Sequence, residues 1–212
     1  MGGQGGAPVA VGTRTVSAGA PARGSARRAA GGPVPVTSMT TITGAVLDLR
    51  QPGPLWHLQF RRFAGCPVCN LHLRGFARRA AELEGVVREV ILFHARTDEL
   101  APHVEDLPFP VVADPDKRLY RAFGVETAAR ALLHPAAWPG IVQAVASAVP
   151  RVLAGRDRLP SASPQGGRLG LPADFLVSPD GRLRAVHYGR HANDQWSVDA
   201  LLALAAPPVQ SR

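Results

Sequence analysis

The chain is 212 residues long, 46% hydrophobic and 19% charged, with a formal net charge of +8 and only two cysteines. That length suits one domain or a domain plus appendages; no run approaches the roughly 18 apolar residues that span a bilayer, and two cysteines cannot make a disulfide framework, so a reducing, cytoplasmic setting is expected. The basic excess does not read as a nucleic-acid surface: Arg14, Arg23, Arg27 and Arg28 supply half of it from an acid-free segment, and the rest is scattered, without a Lys/Arg run or interleaved aromatics.

In chain order, residues 1–40 are Gly, Ala, Pro, Ser and Arg with hardly a large apolar side chain, and are expected to be a disordered tail. Arg27-Arg28 hints at a twin-arginine signal, but the "AAGGPVPVTS" that follows is too short and broken for an apolar core of such a signal. Met39 stands where the tail ends, and a shorter chain starting there is an alternative that N-terminal sequencing of the native protein settles.

Residues 41–212 are expected to form one domain. "AVLDLR" (45–50) predicts a short strand, and "LWHLQFRRF" (55–63) another, with Leu58 and Phe60 flanked by polar neighbours. Cys69, Leu73, Phe76, Ala80 and Leu83 recur at four- and three-residue steps, which predicts one helix running to Gly85. "REVILFHA" (88–95) is a nearly continuous apolar run, as a buried central strand should be. Thr97 is the expected N-cap of a helix carrying Leu100, Val104 and Leu107, with Asp98 and Glu99 in its first turn.

"FPVVADPDKRLYRAFGV" (109–125) predicts a strand, a turn at Asp114-Pro115-Asp116 and a short helix stopped by Gly124. "ADFLVSPDGRLRAVHYG" (173–189) predicts a hairpin, and Trp196 to Leu204 a closing amphipathic helix. The order β-α-β-α-β-α-β-β-α implies an α/β domain, a mixed central sheet with helices on both faces. Residues 126–170 do not fit the series: they read as a partly helical insertion before the C-terminal hairpin. It would act as a lid over core, a substrate-site wall or a dimer contact.

The two cysteines form "CPVC" at a strand-to-helix junction. Unpaired N–H groups and the helix dipole at a helix N-terminus favour a thiolate, and Pro67 suits the first helical position. Cys66 is therefore expected to attack, with a depressed pKa, and Cys69 to resolve, with a pKa near or above the ordinary thiol value of about 8.5. Arg61, Arg62 and Arg74 are candidates to add positive potential. Two alternatives stand: buried structural thiols, and a copper or zinc site in which His72 joins both cysteines as a third ligand, zinc normally wanting a fourth.

From Leu55 onward the chain resembles the peroxiredoxin-like (AhpC/TSA-type) branch of the thioredoxin superfamily, through "FRRFAGCPVCNLHLRGF", "VVADPDKRLYRAFGV" and "LPADFLVSPDGRL". The resemblance implies a thioredoxin-like fold and thiol chemistry without metal or organic cofactor. It also implies that Pro172 is a cis proline facing the reactive cysteine, making Cys66, Cys69 and Pro172 the catalytic group. Arg62, Phe63, Gly65 and Pro67 around Cys66 are the expected substrate-binding residues. The implied partners are a peroxide or disulfide substrate and a reductant, either a thioredoxin-like protein or a low-molecular-weight thiol; a homodimer is left open. One departure matters: where typical peroxidatic motifs carry a proline and a Thr/Ser hydroxyl, this chain has Gln59 and Phe63. "CPVC" also resembles glutaredoxins, which reduce mixed disulfides. Arg182 and Arg184 are candidates for the arginine that completes a peroxiredoxin site. A non-catalytic interaction module working through residues 126–170 remains the other class of function.

Overall fold

The computed structural model describes residues 26–125, 134–156, 158–159, 167 and 169–207. Its centre is a five-stranded sheet in the order β5-β4-β3-β6-β7. Strands β3 (Leu55–Phe60), β4 (Val87–Phe93) and β5 (Val111–Ala113) run parallel, and β6 (Ala173–Val177) and β7 (Leu183–Tyr188) form an antiparallel hairpin beside β3. Helices α1 (Pro67–Arg78), α2 (Ala80–Leu83), α3 (Thr97–Val104), α4 (Arg118–Phe123), α5 (Trp138–Leu153) and α6 (Val198–Ala205) complete the described fold. This is the mixed α/β, thioredoxin-like architecture that the sequence predicts.

Strand alternation sorts the core into two layers. Leu58, Phe60, Val90, Leu92, Phe175 and Val177 face α4, where Phe60, Tyr120, Phe123 and Phe175 pack with ring centroids 4.8–5.3 Å apart. On the other face Ile91, Phe93 and Leu176 meet α1, α2, α3 and α6. α4 follows the predicted Asp-Pro-Asp turn because the Asp114 carboxylate accepts the N–H groups of Arg118, Leu119 and Tyr120 at 2.8, 2.8 and 3.1 Å. Gly124, at φ 70°, stops it in the left-handed conformation that suits glycine.

Four local expectations are corrected. The helix expected to run unbroken to Gly85 is interrupted at Arg79 (φ −109°, ψ 17°), so α1 and α2 are separate. Thr97 lies inside α3; the capping position is Arg96 and no side chain caps that end. The closing helix begins at Val198 with Ser197 as its cap, its hydroxyl accepting the Ala200 N–H.

The fourth is the tail. Residues 1–25 lie outside the described residues, but 26–40 are packed rather than loose. The Gly31 N–H donates to the Leu183 carbonyl at 2.7 Å, the Leu183 N–H to Gly32 at 2.8 Å and the Val34 N–H to Gly181 at 2.9 Å, covering the start of edge strand β7. Arg28 donates through its backbone N–H to the Tyr188 hydroxyl and through Nε to the Ala122 carbonyl, and Arg27 lies over the Tyr188 ring. β1 (Ser38–Thr40) then pairs with β2 (Val46–Asp48), burying Met39, and the Ile42 N–H reaches the Val111 carbonyl on the opposite edge, β5. A segment poor in large side chains is ordered because the sheet offers it edges to pair with.

Candidate active site

Cys66 sits just past the C-terminal end of β3, at the capping position of α1 (φ −58°, ψ 117°). Gly65, at φ 72°, makes the turn that puts it there, and Pro67 is the first helical residue. The Asn70 N–H donates to the Cys66 carbonyl at 2.9 Å, closing the first turn around both thiols. The thiols are free, hydrogen-bonded to one another, and 0% and 1% exposed.

Arg62 reaches Cys66 Sγ with Nη1 at 3.6 Å and lies over the Phe63 ring at 5.3 Å. Burial nevertheless pushes the Cys66 thiol well up, and its hydrogen bond to Cys69 adds to that. Cys69, accepting from Cys66 and lying near the charges of Arg62 and Arg61, is held at about 6 despite burial. The expected order of acidities is thus reversed in this closed state: the charge of the pair rests on Cys69. Cys69 gains first from the hydrogen bond that Cys66 donates and then from the Arg62 and Arg61 charges, which together outweigh its burial. At Cys66, burial and that same hydrogen bond outweigh the Arg62 charge and the helix-start position.

Those surroundings come from the insertion. Ala144 and Ile141 of α5 pack with Phe63, Val68 and Leu71 around both cysteines. Beside them a groove of about 290 Å³ is lined by Gly65, Pro67 and Asn70 on one side and by Val145, Val149 and Val152 on the other. The insertion is therefore a cover and a wall of the cysteine site. Its residues 126–133, 157, 160–166 and 168 lie outside the described residues.

Beneath α1 is a buried polar network that the sequence reading does not contain. β3 and β4 are in register His57 with Glu89, and β3 and β6 Gln59 with Asp174, which brings four polar side chains onto one face. His57 Nδ1 lies 2.8 Å from Glu89 Oε2 and its Nε2 3.3 Å from Asp174 Oδ1. Gln59 donates to Glu89 at 2.5 Å and accepts from Arg61, whose Nη2 also donates to Asp174 Oδ1 at 2.8 Å. Burial alone would lower the His57 pKa, but Glu89 and Asp174 outweigh it and raise it to about 9. Asp174, despite burial, is pulled well below the usual carboxylate range by Arg61 and His57. Two cations thus balance two carboxylates in the dry interior.

His72 belongs to this network and not to the thiols. Its Nε2 lies 3.0 Å from Arg61 Nη2, and because arginine only donates, His72 accepts there and is neutral, burial and the neighbouring cation both lowering its pKa. The three-ligand metal reading is thereby corrected. Among the described residues no group of three His, Cys, Asp or Glu side chains is gathered to hold a metal ion.

Other predicted residues are placed as follows. Arg62, Phe63, Gly65 and Pro67 all surround Cys66. Pro172 is buried before β6, but no described peptide bond is cis, so its expected isomer is corrected; its carbonyl accepts the Gly189 N–H at 2.9 Å. The segment still approaches the cysteine loop through Gly170, where an added Cβ would stand 3.5 Å from Arg62 Cα and 2.9 Å from His94 Nε2. Arg182 and Arg184 are used elsewhere, donating to the Gly31 carbonyl and to the carbonyls of Leu204 and Ala206. Neither completes the site. Among the described residues no helix is long and apolar enough to cross a membrane.

A Cys-x-x-Cys at the first strand-to-helix junction of a mixed five-stranded sheet defines a thiol protein of the thioredoxin fold. The model for the AhpC/TSA antioxidant enzyme family matches residues 76–191, over half of the chain, and the chain belongs to that family. The matched stretch begins after Cys69, so the family match is carried by the sheet and helices beyond the thiols. Solved structures agree on the fold: peroxidoxin BcpB of Mycobacterium tuberculosis (16% identity, TM-score 0.55, covering 84% of this chain and 93% of that one) and a cysteine variant of peroxiredoxin Q of Xanthomonas campestris (15%, 0.53, 86% and 96%). A proposed thiol:disulfide interchange protein DsbE of Chlorobium tepidum is similar to the same degree (17%, 0.52, 85% and 100%). No curated protein matches the chain.

Proposed function

We propose that the protein is a thiol–disulfide oxidoreductase in which Cys66 and Cys69 together reduce a disulfide substrate. The observation that carries this reading is the pair of free, mutually hydrogen-bonded thiols at the start of α1. When α5 shifts and water reaches Cys66, its desolvation is relieved, while the Cys69 N–H and the Arg62 guanidinium still favour a thiolate there. The proton then passes along the existing hydrogen bond from Cys66 to Cys69. The Cys66 thiolate attacks one substrate sulfur, the substrate S–S bond breaks, and the departing thiolate takes the proton from Cys69. The Cys69 thiolate next attacks Cys66 Sγ, forming the protein disulfide and releasing the second substrate thiolate. A thioredoxin-like protein or small thiol in a reducing, cytoplasmic setting returns the pair to dithiol.

Disulfide is favoured over peroxide because the proline and the hydroxyl of the usual peroxide-binding motif are replaced by Gln59 and Phe63. Phe63 supplies no hydroxyl and packs in the apolar cluster, and the Gln59 amide is bound to Glu89 and Arg61. Peroxide is nonetheless the second supported oxidant, through family membership and the Arg62 guanidinium beside Cys66.

The test is to mix reduced protein with equimolar small-molecule disulfide or hydrogen peroxide, quench over time, and follow Cys66–Cys69 bridging by mass spectrometry. Faster bridging by disulfide, with a mixed disulfide trapped on Cys66 in Cys69→Ser, supports the reading. Bridging within seconds by peroxide alone replaces it with the peroxidase reading, and inertness to both removes both.

A further inference from the structure

Two histidines outside the thiol site, His134 and His191, stack with ring centroids 5.1 Å apart and planes inclined by 25°. Each also closes a turn. His134 Nδ1 accepts the Ala136 N–H at 3.2 Å, at the start of the single 3-10 turn Pro135–Ala137 that leads directly into α5. His191 Nδ1 accepts the Asn193 N–H at 3.3 Å, in the loop after β7. A backbone N–H only donates, so both rings are neutral in this arrangement and carry their proton on Nε2.

The stack joins that loop to the cover of the thiols. Ala137 and Ala192, close to the two histidines in the chain, are both buried. Gly140 of α5 lies so near the Asn193 side chain that an added Cβ would stand 2.4 Å from its Nδ2. From there α5 brings Ile141 and Ala144 against Cys66 and Cys69. The loop is fixed in turn by the Asp194 carboxylate, which lies 3.1 Å from His187 Nε2 and accepts the Arg190 N–H and Nε at 2.9 and 3.1 Å.

Among the described residues, the charged or titratable groups around the pair are Asp194 and Arg190 in the loop and, through Asp194, His187 on β7. α5 contributes none between Trp138 and Pro150. Protonation undoes the arrangement in two ways. The added proton must enter at Nδ1, so each ring gives up the N–H it accepts, and two positive rings then face each other across 5.1 Å.

We infer that the His134–His191 stack is an acid-released latch that holds α5 closed over Cys66 and Cys69. The inference rests on the observed cover and not on the proposed disulfide chemistry. Burial lowers the His191 pKa, Asp194 opposes this, and His134 and Arg190 lower it further. Packing therefore favours the neutral ring, so its hold on α5 is complete above the ordinary value of 6.5 and is lost as the pH falls below it.

The test is alkylation of Cys66 and Cys69 by N-ethylmaleimide, followed by mass spectrometry, with circular dichroism confirming the fold. Comparing parent and variant at the same pH cancels the direct effect of acid on thiol reactivity. Between about pH 8 and about pH 5, the parent rate relative to that of His191→Gln or His134→Gln should rise about fivefold. His187→Gln, which leaves the stack in place, should keep the response of the parent. If a glutamine variant does not fold, the parent is compared with its own urea-unfolded chain at each pH, and its protection should fall by the same factor. A constant ratio or constant protection overturns the latch, and so does loss of the response in His187→Gln. Alkylation needs no disulfide substrate, so the latch and the proposed exchange reaction stand or fall separately.

Discussion

His57 and Glu89 lie directly opposite one another on the parallel strands β3 and β4, fully buried, with Nδ1 2.8 Å from Oε2. The pair makes stability depend on pH in a direction that can be worked out. The His57 value is raised from 6.5 to about 9 on folding, so its contribution is complete below about pH 6.5 and is lost as the pH rises through about 9. The loss is about 3 kcal/mol at full titration. Urea unfolding at about pH 6.5 and pH 9.5 should show a steeper decline for the parent than for His57→Gln; equal declines would remove His57 as the cause. Asp174 acts at the other end: its value is depressed on folding, so its contribution is present above the ordinary carboxylate range and lost in acid.

α5 is seated at Gly140, where an added Cβ would stand 2.4 Å from Asn193 Nδ2 and 2.5 Å from its Cγ. Gly140→Ala should therefore loosen the cover over the thiols. Alkylation of Cys66 and Cys69 by iodoacetamide should accelerate about tenfold, as loss of about 1.4 kcal/mol of closure would give. Val142→Ala, on the exposed side of the same helix, should leave the rate unchanged.

A chain started at Met39 loses the Val34 burial, the backbone bonds to the start of β7 and the Arg28 contacts. Its melting temperature should fall by about 5–10 °C. Gly124→Ala strikes the same contact from the other side: at φ 70° its Cβ would meet the Ala26 carbonyl oxygen at 2.8 Å. Limited trypsin digestion should then cut after Arg27 or Arg28 faster than in the parent.

Phe175 is fully buried, and its ring packs against Phe60 at 5.3 Å, Phe123 at 4.8 Å and Tyr188 at 5.4 Å. Phe175→Ala should cost about 3–5 kcal/mol in denaturant unfolding. Leu153→Ala, at the 83% exposed end of α5, should cost almost nothing.

Much of the fold was readable because local chemistry and tertiary need coincide. The continuous apolar run of β4, the Asp114 turn, the Gly124 stop and the 173–189 hairpin each carry their own signal, and each is where the periodicity places it. The Arg96 cap, the break at Arg79 and the ordered stretch 26–40 were not readable, since they depend on what lies alongside. β3 is the instructive case. Its alternation correctly placed Leu58 and Phe60 inward, and by the usual half-buried rule His57 and Gln59 would face water. A central strand covered on both faces has no wet side, so the same alternation hides a charged network.

By itself, then, the sequence determined the α/β class, the strand–helix junction that carries "CPVC", and the residues Arg62, Phe63, Gly65 and Pro67 gathered at Cys66, because these are set by neighbours within a few positions along the chain. Only the tertiary structure decided which thiol carries the charge, what covers the pair and where His72 turns. Those depend on Arg61, Asp174, Ala144 and Ile141, brought together by strand register and helix packing, and on burial, which governs the energy of a charge and has no signature in local spacing.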